Sequence, residues 1–210
     1  MRREKLSATA GLLSALLTIV PAIFVAELTD KDALLLLSLA TRMKPYVVFA
    51  AGSVAFTATS AIIVTVGYFL VSLVPIPWIS MGGGVIMIAY GTWSFFKSNK
   101  EELAEAERRL TLQTSKGVWV AFLSAVSLLM VLDLAGDATE VLTVLFVARF
   151  QNTILVFAGA VAALIAATAV ETTIGNRLSK VLSFRRIQIF SLFVFLTIGT
   201  AAILTALFHF

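Results

Sequence analysis

The sequence predicts an all-α, polytopic membrane protein of six transmembrane helices, built as 3+3 inverted repeats. Three observations predict it: the apolar content of the chain, the spacing of its apolar blocks, and a faint internal repetition. Of the 210 residues, 60% are hydrophobic and 13% charged, with a mean hydropathy of +0.99. An ordinary globular domain carries about 25% charged residues. A chain this apolar needs the bilayer as its solvent.

The first apolar block runs from Leu6 to Thr41, the second from Tyr46 to Val74 and the third from Trp78 to Phe96. The basic flank Met1-Arg2-Arg3-Glu4-Lys5 reads as the edge of the first membrane helix rather than as a cleaved leader. A polar stretch, Lys97 to Lys116, separates the halves, which gives a first repeat at 1–96, a central loop at 97–116 and a second repeat at 117–210. The fourth block runs from Gly117 to Ala148, the fifth from Thr153 to about Val170 and the sixth from Ile187 to Leu207. Blocks one and four exceed the roughly 20 residues that a span needs and carry charges near their middles. Each is expected to be a long helix broken or tilted at those charges, with Pro21 and Gly136 as the weak points.

A shift of 107 residues places Asp30 on Asp137, Leu35 on Leu142, Arg42 on Arg149 and Ala51-Gly52 on Ala158-Gly159. Three spans per half is an odd number, so the halves must lie inverted. The odd connectors hold eleven basic residues, against four in the N-terminus and the even connectors. The positive-inside rule then puts the central loop in the cytosol and both termini outside a cell membrane.

Composition also excludes chemistry. There are no cysteines, and His209 is the one histidine. Thiolate, disulfide and histidine-based metal sites are therefore not expected. The basic residues cluster at segment ends, so the net charge of +4 is topological and implies no nucleic-acid partner. Gly82-Gly83-Gly84 lacks the lysine of a phosphate loop and reads as close helix packing. Trp78, Trp93 and Trp119, near block ends, read as interfacial anchors.

Seven acids fall in or beside apolar blocks: Glu27, Asp30, Asp32, Asp133, Asp137, Glu140 and Glu171. A carboxylate at the bilayer centre costs roughly 2.5–3.5 kcal/mol on the lenient scale, so a group of them calls for a cation, a proton or a watery cavity. On a continuous helix Glu27 and Asp30 share a face, with Lys31 one turn from Glu27. Asp133, Asp137 and Glu140 likewise form one stripe at i, i+4 and i+7. Facing stripes offer the hard oxygen ligands that suit Ca²⁺ or Mn²⁺. Thr29, Thr139 and carbonyls freed at a helix break can complete the shell. Asp32 points about 140° away from Glu27 and is a weaker candidate. Glu171 opens the polar run Glu171-Thr172-Thr173 and is read as leading into a loop.

Glu27-Leu28-Thr29-Asp30-Lys31-Asp32 resembles the signature of a known family. This is the six-helix cation/proton exchanger family of the Golgi calcium/manganese transporters and bacterial manganese exporters, within the LysE superfamily. Its hallmark, once per half, is Glu-x-Gly-Asp-Lys/Arg-Ser/Thr. Phe24-Val25-Ala26, Leu39-Ala40-Thr41-Arg42 and Gly91-Thr92-Trp93 extend the likeness. Here Thr29 replaces the motif glycine and Asp32 the Ser/Thr. In the second half Gly136, Asp137 and Thr139 match, Ala138 replaces the basic residue and Leu134 stands where the glutamate belongs. The resemblance implies Glu27, Asp30 and Asp137 as ion ligands, with Asp133 substituting for the missing glutamate.

The reading is of a transporter that exchanges Mn²⁺ or Ca²⁺ for protons by alternating access. No enzymatic activity and no permanently bound cofactor are expected, the ion itself being the substrate. Its partners are the cation, protons and the bilayer, with a homo-oligomer as one option for assembly. Export of an amino acid or another small solute, as elsewhere in that superfamily, is the alternative. An intramembrane aspartyl protease is disfavoured, because Leu134 occupies the first glycine of Gly-x-Gly-Asp and Thr29-Asp30 stands for Tyr-Asp.

Overall fold

The computed structural model describes residues 2–28, 31–96, 117–134, 138–181 and 184–208, with the side chains of 2–8, 31, 32, 34, 42 and 174–187 excepted. The described residues form eight α-helices: α1 (Arg2–Leu28), α2 (Lys31–Arg42), α3 (Pro45–Leu73), α4 (Ile76–Phe96), α5 (Val118–Leu134), α6 (Ala138–Phe150), α7 (Thr153–Val181) and α8 (Phe184–Leu207). Five of them contain stretches long and apolar enough to cross a membrane, and α5 with α6 supplies a sixth as one span bent by 64°. The all-α polytopic fold class is therefore the one observed.

The first span does not break at Pro21. Helix α1 runs through that residue to Leu28, and 29–30, before α2, lie outside the described residues. Proline costs a helix one hydrogen bond, which a transmembrane helix tolerates when local groups adjust. Gly136 falls in 135–137, between α5 and α6 and outside the described residues, as does the polar loop 97–116.

Long helices α3 and α7 form the centre. Helix α7 packs on α1, α2, α3 and α6, and α3 packs on α5, α6, α7 and α2. The two halves exchange their contacts in a matched way. Helix α1 lies on α7 as α5 lies on α3, and α2 lies on α7 as α6 lies on α3. The starts of the central helices use different chemistry for one purpose. Pro45 begins α3 with its φ already helical, while the Asn152 side chain accepts the Leu155 N–H at 3.1 Å to cap α7.

The third span of each half, α4 and α8, makes the most extensive pairing in the bundle. A Cβ added to Gly84 would meet the Gly199 carbonyl and Ile203, and one added to Gly199 would meet the Gly84 carbonyl and Ile88. Gly91 lies against Phe195, and the Gln188 side-chain amide donates to the Ser94 carbonyl. Numbers rise along α4 as they fall along α8, so these equivalent spans are antiparallel, as an inverted repeat requires. Of the triple glycine, Gly83 fits against Leu145 and Gly84 against the α8 backbone, whereas Gly82 faces open space. Trp78, Trp93 and Trp119 are exposed near helix ends, where interfacial anchors belong.

Candidate functional site

Helix α1 buries Ala15, Ile19, Ile23 and Glu27, and α5 buries Ala121, Ala125, Leu129 and Asp133. The two stripes are the same stripe displaced by 106 residues. Each has a four-residue repeat, so one face of the helix turns inward, and each closes on a carboxylate one residue before the helix ends. Asp133 thus occupies in α5 the place that Glu27 occupies in α1. Leu134, the residue a uniform shift of 107 would pair with Glu27, is 41% exposed, against 3% for Asp133.

The register changes at the breaks. The first interruption takes two residues, 29–30, and the second takes three, 135–137. Beyond them Leu35, Leu36 and Leu39 of α2 match buried Leu142, Thr143 and Phe146 of α6 at a displacement of 107. In the central helices the displacement is 108: Val48, Ala51, Ala55, Phe56, Thr59 and Ser60 answer Val156, Gly159, Ala163, Leu164, Ala167 and Thr168. The repetition is real but not uniform, because α5 and α6 are separated by one residue more than α1 and α2, and α6 is one residue longer than α2.

The α1–α2 pair lies against the α5–α6 pair. Helix α1 touches α6 and α2 touches α5, so the described segments that bracket one interruption contact those that bracket the other. Glu27 and Asp133 are thereby brought, fully buried, to the ends of arms that flank this region. Thr139 is buried and Glu140 half-buried in the first turn of α6, where the helix dipole favours a carboxylate. Thr143, one turn on, donates its hydroxyl to the Thr139 carbonyl at 2.7 Å.

Thr29, Asp30 and Asp137 lie outside the described residues, and Asp32 is on α2 with its side chain outside the description. Among the described residues no three His, Cys, Asp or Glu side chains come together closely enough to hold a metal ion. The described part of the stripe drawn through Asp133, Asp137 and Glu140 is not one helix face, and Asp137 itself lies outside the described residues. Asp133 and Glu140 belong to two helices at 64° to each other, so continuous-helix arithmetic fails between them.

Glu171 corrects the sequence reading outright. It does not lead into a loop. Helix α7 continues to Val181, and Glu171 is 0% exposed, with Thr168 and Thr172 buried on either side. Thr168 lies against Gly52 of α3, close to Leu36 of α2, so this turn of α7 faces the first repeat. The displacement of 108 puts Ile63 at the matching place in α3, so the acid belongs to the second repeat alone. The polar run that suggested a loop is absorbed by the helix, because Thr172 donates to the Thr168 carbonyl and Thr173 to that of Ala169. The signal available in sequence was a glutamate preceded by an alanine- and valine-rich run, with no glycine or proline between Gly159 and Gly175.

A search of curated proteins and a search of solved structures each return no match. A protein-family model for the divalent cation/proton antiporter GDT1 does match, twice, over residues 15–102 and 121–209. The two matches open on Ala15 and Ala121, the first members of the paired buried stripes, and together they take in most of the chain. With buried carboxylates repeated near the ends of α1 and α5, the chain belongs to the GDT1 family of divalent cation/proton antiporters.

Proposed function

We propose that this antiporter exchanges Mn²⁺ or Ca²⁺ for protons by alternating access, at a site shared between the two broken spans. In this reading Glu27 and Asp133 supply one carboxylate each from α1 and α5, and Asp30 and Asp137 supply one each from the interruptions. Thr29, Thr139 and Glu140 are the remaining donors near the breaks, with Asp32 as an outer acid. The observation that carries the proposal is the matched burial of Glu27 and Asp133, one residue from the ends of equivalent arms. Keeping an acid there costs a few kcal/mol unless an ion or a proton balances it. Carboxylate and hydroxyl oxygens are the ligands hard divalent cations prefer. The same carboxylates take up protons when the metal leaves, which couples the two fluxes without any further group.

Alternating access then follows from the inverted repeats. The halves, 1–96 and 117–210, rock about the shared site, with the 97–116 segment as their cytosolic link and the termini outside the cell membrane. The test is flux in proteoliposomes with a pH dye inside, using Mn²⁺, Ca²⁺ and an amino acid mixture as separate substrates. Metal added outside should drive proton movement in the opposite direction. Movement of amino acids with no response to either metal would replace this reading with the small-solute exporter.

A further inference from the structure

A cavity of about 670 Å³ opens between α4, α6 and α8, with no described carboxylate in its lining. Arg149 and Gln151 form its polar end, at the last turn of α6 and just beyond it, with Thr205 near the end of α8. Leu142, Phe146 and Ile198 form its apolar end. Leu142 to Arg149 is a rise of about 10 Å along α6, and Ile198 to Thr205 is about the same along α8. Helix α4 begins on this side while α6 and α8 end there. The mouth therefore lies where spans leave the bilayer, and the slot deepens toward its interior. Ala201, Ala202 and Ala206 are too small for α8 to fill it.

Among the described residues the lining has one charge, the exposed Arg149 guanidinium, and no carboxylate. Among the described residues its side chain sits over the Phe150 ring at 5.9 Å and makes no ion pair. A divalent cation gains nothing here, since the charge repels it and no acid is at hand. Apolar walls closing on a cationic mouth match an amphiphile with an anionic head. Basic side chains near a membrane surface attract anionic lipid head groups. We propose that this cavity binds an anionic phospholipid, its phosphodiester on Arg149 and the upper part of an acyl chain between α4, α6 and α8. A guanidinium suits a phosphodiester because its planar N–H groups pair with two oxygens at once.

The test is native mass spectrometry of the full chain released from micelles holding equal phosphatidylglycerol and phosphatidylcholine. The wild type should retain phosphatidylglycerol in preference. Arg149→Gln should lower that preference about fivefold, with helicity by circular dichroism unchanged. Ala202→Trp, which fills the slot, should remove the retained lipid altogether. Equal retention of the two lipids by the wild type, or an unchanged preference in Arg149→Gln, overturns the proposal. So does a dimer that Ala202→Trp separates without altering lipid retention, since a second copy of the chain is then the occupant. None of these readouts depends on metal flux, so the lipid site and the ion site stand or fall separately.

Discussion

Helix α1 ends its buried stripe on Glu27 and α5 ends its stripe on Asp133, whereas α3 carries Ile63 where α7 carries the fully buried Glu171. The first pair of regions keeps both shape and charge. The second keeps shape and changes charge. Burial is matched within each pair, at a displacement of 106 between α1 and α5 and of 108 between α3 and α7, although Ile63 is half-buried where Glu171 is fully buried. Chemistry is constrained only at the ends of the broken arms. An acid tolerated in one central helix and absent from its counterpart makes the two halves unequal around a common framework, and an exchanger that handles two different ions has a use for such inequality.

The largest expected effect comes from removing a carboxylate that the inequality does not duplicate. Asp137→Asn should leave the purified protein monodisperse and reduce metal flux to that of empty liposomes. Normal flux in this variant would remove Asp137 from the site and break the comparison at its centre.

The next effect tests whether α1 and α5 are chemically equivalent. Asp133→Asn should lower metal-dependent flux about as much as Glu27→Gln. Adding Leu134→Glu to Asp133→Asn should not restore it, because position 134 turns outward. Rescue by that second change would mean the register of 106 is wrong and the family spacing right. A dead Glu140→Gln beside an active Asp133→Asn would instead move the second-half ligand to α6.

A smaller effect is expected at the unequal pair. Glu171→Gln should slow flux several-fold, less than Asp133→Asn does, on the expectation that Glu171 shapes the field of the site from α7. It leaves the shape of the side chain unchanged, so its thermal unfolding midpoint should stay close to that of the wild type. Full flux with a lowered midpoint would make Glu171 a structural residue and return α3 and α7 to functional equivalence.

The smallest effect is on stability alone and checks the symmetry of the α4–α8 crossing. Gly84→Ala and Gly199→Ala each place a Cβ 2.7 Å from the other helix's backbone carbonyl. Overpacking of this kind costs typically 1–3 kcal/mol. The two should lower the unfolding midpoint in detergent by similar amounts, while Gly82→Ala, facing open space, should not lower it. Unequal losses at Gly84 and Gly199 would show that the crossing is less symmetric than its contacts.

The sequence by itself determined the solvent of this protein, its helical class and its six spans, because apolar content and block length act through the bilayer without reference to any partner element. It also determined that the chain is a repeat, that its acids are costly and that Glu27, Asp30 and Asp137 carry the family likeness. What only the tertiary structure decided was register. A one-residue difference between the interruptions turns a helix by about 100°. That is enough to exchange Asp133 for Leu134 on the inward face, and no count along the chain reveals where the extra residue sits. Tertiary packing also decided that α1 passes through Pro21 and breaks later, and that Glu171 lies inside a long helix rather than at its edge. Helix ends in a membrane are set by which neighbours cover the backbone, and the neighbours of α1 and α7 come from the opposite half of the chain.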